Sequence, residues 1–144
     1  MLPTSILNNV VGPVMPGSSS SHTAGPYHIG RICRSMMGGL PLYVSFTFEP
    51  ASSIAECYHD QGSDLALIMG ILDLPLTDPR FKKALELYKD FGVEVEFKQE
   101  SFSESGHPNS IKIEAQMKDG SAFTAVAGST GGGGLRFRFV DGHP

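Results

Sequence analysis

Apolar residues recur along this chain in two rhythms, and the change from one to the other near residue 93 divides it. In the first part Ile29, Ile32, Met36 and Met37 follow the polar loop PGSSSSH, which predicts a helix over residues 22–38 closed by Gly38-Gly39. Pro26 is tolerated in a first helical turn but damages an interior, so the start lies either near residue 22 or at Pro26 itself. LYVSFTFEP, bounded by Pro41 and Pro50, alternates aromatic and β-branched residues with small polar ones and predicts a strand near 42–49. SDLALIMGILD is apolar on almost every side and follows a Gly-Ser-Asp start signal, the mark of a buried helix. TDPRFKKALELYKDFG predicts a third helix, with Thr77 or Asp78 as cap, Pro79 in its first turn, Phe81, Ala84, Leu85 and Tyr88 on one face, and Gly92 at its end.

Beyond that glycine the period becomes two. Val93, Val95 and Phe97 alternate with polar residues, as do Ile111, Ile113, Ala115 and Met117, then Phe123, Ala125 and Ala127, then Leu135, Phe137 and Phe139. Asp119-Gly120 between two of these runs is a strong hairpin signal and pairs 110–118 with 121–128. The expected fold is therefore α+β, an antiparallel or mixed sheet packed with helices. With 144 residues, 40% hydrophobic and 18% charged, and with no repeat or linker-like stretch, one domain is expected.

Charge removes some functions. The formal net charge is -4 and no Lys/Arg stripe exists, which disfavours nucleic acid. No run of eighteen apolar residues exists to span a bilayer, and MLPTSILNNVVG lacks the basic start of a secretory signal, so a cytoplasmic protein without a membrane partner is expected. Cys33 and Cys57 form no Cys-x-x-Cys pair, the histidines lack zinc-ligand spacing, and both cysteines are expected to be buried small groups. No metal site is expected in this chain.

Three segments hold candidate chemistry. GSSSSHT, residues 17–23, places Ser19, Ser20, Ser21, His22 and Thr23 before a helix start, where free backbone N–H groups favour a carboxylate or phosphate; a Ser-rich cap without ligand has the same pattern. His59 lies in the loop CYHDQGSD, where a histidine is suited to general base work or is simply solvated, and Asp60 and Asp64 either orient its ring or cap the next helix. His107-Pro108-Asn109 joins two strands and presents an imidazole and an amide that match an amino acid's polar groups, although the same residues make an ordinary turn. Gly131 to Gly134 fits neither a dinucleotide fingerprint nor a phosphate-cradling lysine loop, so no nucleotide cofactor is supported.

GPVMPGSSSSHTAGPYHIGRI, YHDQGSDLALIMGILD, SGHPNSI and AVAGSTGGGG, in this order over nearly the whole chain, resemble the β subunit or β domain of bacterial iron-sulfur-dependent L-serine dehydratases. The Ser-Ser-Ser-His-Thr-x-Gly-Pro block is the specific one. The resemblance implies conversion of L-serine to pyruvate and ammonia: a base removes the α-proton, water is lost to give aminoacrylate, and this tautomerises and hydrolyses. It also implies an oligomer and a partner α subunit or domain, whose cysteines hold a [4Fe-4S] cluster with one iron acting as Lewis acid on the serine hydroxyl; two separated cysteines are a poor host for it. On the same resemblance His59 is the base, although YHDQGSD departs from the commoner GHGTD, and His22 with Ser19, Ser20, Ser21 and Thr23 approaches the active site. His107 and Asn109 match the His-x-Asn pair of the allosteric substrate-binding domain of phosphoglycerate dehydrogenases, which implies a similar fold and an allosteric serine site. β chains of this kind often continue into an ACT or α domain, an extension that would begin where this sequence stops at VDGHP. The competing expectations are a non-catalytic module that senses a small amino acid and an unrelated phosphate-binding protein; loss of turnover on changing His59 separates the enzyme from the sensor.

Overall fold

Pro26 sits in the first turn of α1 (Gly25–Met37), where its missing N–H leaves no bond unmade, and Gly38 ends that helix at φ 72°. The computed structural model describes residues 20–103, 109–131 and 134–143. Ahead of α1 the chain makes one π-helical turn, Ser20–Ala24. The helical path thus begins close to residue 22, with its α-helical part starting next to Pro26. Ile32 and Met36, expected on its apolar face, are 38% and 43% exposed. Ile29 is buried as expected, and Gly30 and Cys33 share its face, because α1 is pressed against its neighbour through a glycine.

That neighbour is the predicted buried helix. After β1 (Tyr43–Phe48) and a short helix α2 (Ser53–Cys57), α3 (Ser63–Ile71) buries every residue but Leu65. A Cβ on Gly70 would lie 2.4 Å from Tyr27 O and 2.7 Å from Arg31 N, and one on Gly30 would lie 2.6 Å from Leu67 O. The two helices therefore meet backbone to backbone, which only glycine at both positions permits.

The third predicted helix starts later than expected. Asp78 accepts from the Arg80 N–H at 2.8 Å and pairs with its guanidinium, holding Pro79 in a turn; a 3₁₀ turn, Phe81–Lys83, then leads into α4 (Ala84–Asp90). The capping chemistry of Asp78 thus serves a turn. Phe81 and Ala84 are buried as the pattern required. α2 has no counterpart among the predicted elements, since its five residues are too short for a periodicity; Ser52 caps it, its Oγ accepting from the Ala55 N–H at 3.1 Å.

The remaining strands are β2 (Glu94–Gln99), β3 (Ser110–Gln116), β4 (Ala122–Gly131) and β5 (Gly134–Val140). Their order is β2-β1-β3-β4-β5, with β1 and β2 parallel and all other pairs antiparallel. This is the expected α+β class with a mixed sheet. The Asp119-Gly120 hairpin forms as predicted, the Asp119 carboxylate accepting from the Ser121 N–H at 2.9 Å. Val44, Phe46 and Phe48 of β1, Ile111 and Ile113 of β3, and Ala125 and Ala127 of β4 pack with Ile29, Leu67 and Ile68 in one core. Each large apolar side chain buried there contributes about 1.5–3 kcal/mol. Among the described residues no helix is long and apolar enough to cross a membrane.

Register decides where the loops go. Phe48 pairs with Ile111, Ser110 with Gly128, and Gly128 with Arg136. The end of β1, the start of β3, the end of β4 and the start of β5 therefore share one end of the sheet. The π-helical turn packs against β4 and α3.

Candidate active site

Two distant sequence blocks are tied together at the π-helical turn. The Thr23 hydroxyl donates to Gln61 O at 3.0 Å, and the Ser63 hydroxyl donates to His22 O. Thr23 and Ser63 are both fully buried, so neither bond competes with water. The Ser20–Ala24 turn and the YHDQGSD loop, about forty residues apart in sequence, thus form one surface. The helix crossing at Gly30 and Gly70 is what lets α1 and α3 run close enough for this.

His59 stands on that loop. Gly62, at φ 72°, turns the chain into α3, and Ser63 N–H donates to Tyr58 O at 2.7 Å. Tyr58 in turn stacks on Phe48 at 4.8 Å and Phe97 at 5.7 Å, anchoring the loop to the sheet. Asp64, in the first turn of α3 where backbone N–H groups and the helix dipole favour a carboxylate, is buried. Its Oδ1 accepts from the Leu65 N–H at 2.7 Å, and its Oδ2 lies 2.6 Å from His59 Nδ1. Of the two acidic neighbours considered, Asp64 is the one that orients the ring.

This contact fixes the tautomer. With Nδ1–H donating to the carboxylate, Nε2 keeps its lone pair and points away from Asp64. The hydrogen bond and charge of Asp64 hold the His59 imidazolium above the ordinary histidine range, with Asp60 adding to the effect. The His59 side chain is 70% exposed while that of Asp64 is 2% exposed. Backed by a buried carboxylate and open on its other side, the imidazole can accept a proton at Nε2 from any group within hydrogen-bond reach.

The other candidate residues fall as follows. His22 is half-buried on the turn. Ser20 and Ser21 belong to the same turn, but their side chains, with Ser19 and His107, lie outside the described residues. Asn109 lies at the start of β3, its Oδ1 accepting from the Ser53 hydroxyl at 2.7 Å, so it borders α2 at the same end of the sheet. Cys33 is buried and its thiol is pushed up to about 12 by burial. Cys57, expected to be buried, is partly exposed because α2 lies at the surface, and its thiol donates to Ser53 O at 2.9 Å. Among the described residues no three His, Cys, Asp or Glu side chains cluster to hold a metal, and the separated Cys33 and Cys57 are a poor donor set for an iron-sulfur cluster. Patterns of single residues do not reveal the pairing of Thr23 with Gln61 or of Ser63 with His22, which depends on the helix crossing.

No family model matches the chain. It is 38% identical over 135 residues to the probable L-serine dehydratase, beta chain, of Bacillus subtilis (strain 168), covering 93% of this chain and 59% of that protein. It is 34% identical over 133 residues to the L-serine dehydratase, beta chain, of Peptoniphilus asaccharolyticus, covering 92% of this chain and again 59% of the relative. Over these residues the chain is similar to L-serine dehydratase β chains. It spans about three-fifths of the length of the relatives it matches. The shared stretch contains both halves of the candidate site, since 92–93% of the chain includes the turn, the His59 loop and β1 between them.

Proposed function

We propose that this chain is the β component of an L-serine dehydratase, a lyase that converts L-serine to pyruvate and ammonia together with an α component. The observation that carries the reading is the His59–Asp64 pair standing beside the Ser-His-Thr turn, in a chain similar to L-serine dehydratase β chains. His59 Nε2 takes the α-proton of serine. Asp64 keeps Nε2 free and stabilises the imidazolium that results. The carboxylate of serine lies toward the Ser20–Ala24 turn, which carries Ser20, Ser21, His22 and Thr23, where the N–H groups of the first turn offer donors. With the base 70% exposed in this chain, the α component is the wall that closes the site. It also brings the [4Fe-4S] cluster, for which the two separated cysteines of this chain are a poor donor set.

A second site is proposed at Asn109 with His107, where serine acts as effector. Asn109 is held by Ser53 on α2, and α2 leads directly into Tyr58 and His59, so occupancy of Asn109 would be felt at the base. The deciding experiment combines the chain with its α component and follows pyruvate formation from L-serine. The chain alone is expected to be inactive and the combination active. His59→Asn is expected to lower kcat about 10²–10⁴-fold with a smaller change in KM. Turnover by the isolated chain would overturn the assignment, and near-normal kcat in the variant would remove His59 from the mechanism.

A further inference from the structure

Ser129 is 3% exposed, and its Oγ makes no hydrogen bond. A buried hydroxyl without a partner destabilises a fold, and native proteins rarely keep one without a use for it. Its place in the fold suggests the use. Ala125, Ala127 and Ser129 alternate along β4, with Ile113 and Ile111 opposite the two alanines on the neighbouring strand, so the three face the helical layer. Ser129 is the last of them before the strand ends, at the end of the sheet where Asn109 and the His59 loop gather. The π-helical turn that begins the α1 path packs against this strand.

The geometry points to Ser129 as a further substrate-binding residue: its hydroxyl is reserved for the carboxylate of the bound amino acid, which it meets from the strand side while the turn meets it from the helix side. This rests on the function proposed above. Alanine at this position would remove the polar atom and leave the packing of β4 almost unchanged, since the two preceding inward positions are already alanine.

The consequence is an opposed pair of effects. In the chain by itself, Ser129→Ala is expected to raise the melting temperature by roughly 2–8 °C, because the unpartnered hydroxyl is gone. In the assembled enzyme the same change is expected to raise KM for L-serine roughly 10- to 100-fold, the factor for one hydrogen bond to a charged group, with kcat changed less than about threefold. Ser129→Cys, a close match in size but a weak donor, should lie between the two in KM. Affinity for the α component, measured without serine, should stay at the parent value. An unchanged KM in an active enzyme, a lower melting temperature, or weakened assembly in place of a raised KM would each overturn the role of Ser129 and leave the function standing. A parent assembly that acts on no small amino acid would overturn both.

Discussion

Replacing Gly70 by alanine tests whether the backbone crossing of α1 and α3 positions the site. The added methyl would stand 2.4 Å from Tyr27 O, 1.0 Å inside the 3.4 Å at which ordinary contact begins, and also 2.7 Å from Arg31 N and 3.0 Å from Gly30 C. All three are backbone atoms, so no side-chain rotation relieves them and the helices must separate. Overpacking of this sort costs about 1–3 kcal/mol, and a backbone clash belongs at the upper end; against it alanine returns about 0.5–1 kcal/mol of helix propensity. The net loss is about 2 kcal/mol, or a fall of roughly 4–8 °C in melting temperature for a chain of this size. Gly39→Ala is the matched control, since nothing lies within 4 Å of its added carbon and its φ is ordinary. Thermal unfolding followed by circular dichroism reads both. A Gly70→Ala chain melting with the Gly39→Ala chain would refute the argument.

Other outcomes follow from the same structure. Because Asp64 raises the His59 pKa above 6.5, the ion pair adds stability that is full below that value and is lost as pH rises through the raised pKa; Asp64→Asn should abolish this pH dependence in denaturant titrations. The proposed role of His59 requires its free base in the assembled enzyme, so the acid limb of kcat/KM should sit above the ordinary histidine range and shift to lower pH in Asp64→Asn, a shift that an unmoved profile would exclude. Iodoacetamide at alkaline pH should modify Cys57, whose partly exposed thiol is raised by burial and by Glu56 and Asp60, and spare Cys33, whose thiol is buried and pushed up to about 12; mass spectrometry showing two labels on the folded chain would contradict this. Gly120→Ala should lose about 1–2 kcal/mol, since φ there is 86°, and an unchanged denaturation midpoint would show the hairpin turn to be adaptable. Asn109→Ala should raise the serine concentration needed for activation roughly 5- to 150-fold with saturated turnover little changed, and an unaltered serine dependence would make the turn only a turn.

Period-two alternation from Val93 onward places every strand of the second half, because each buries one face and the pleat has a fixed period. The helical half is less legible where local chemistry has two uses. Asp78 and Pro79 make a good helix start and an equally good turn, and the ion pair with Arg80 decides for the turn. Ile32 and Met36 look like core when volume is weighed above shape; the contact is made at Gly30, which has no volume to weigh. In the site, His59, His22 and Thr23 are visible as residue types beside start and turn signals. Their association is not, since hydrogen bonds across about forty residues follow from how two helices cross.

The parallel pairing of β1 with β2 has a consequence for the order in which the molecule assembles. Two parallel neighbours cannot be joined by a tight turn, and everything from Glu49 to Val93, including the His59 loop, lies in the connection between them. The β3–β4 hairpin can form on its own from contacts close in sequence, whereas this long connection must be closed before β2 can dock. The His59 loop is therefore part of a late-forming unit hung on an edge strand. In native-state hydrogen exchange its amides should open together with those of Glu94–Gln99, at a lower free energy than the amides of β3 and β4.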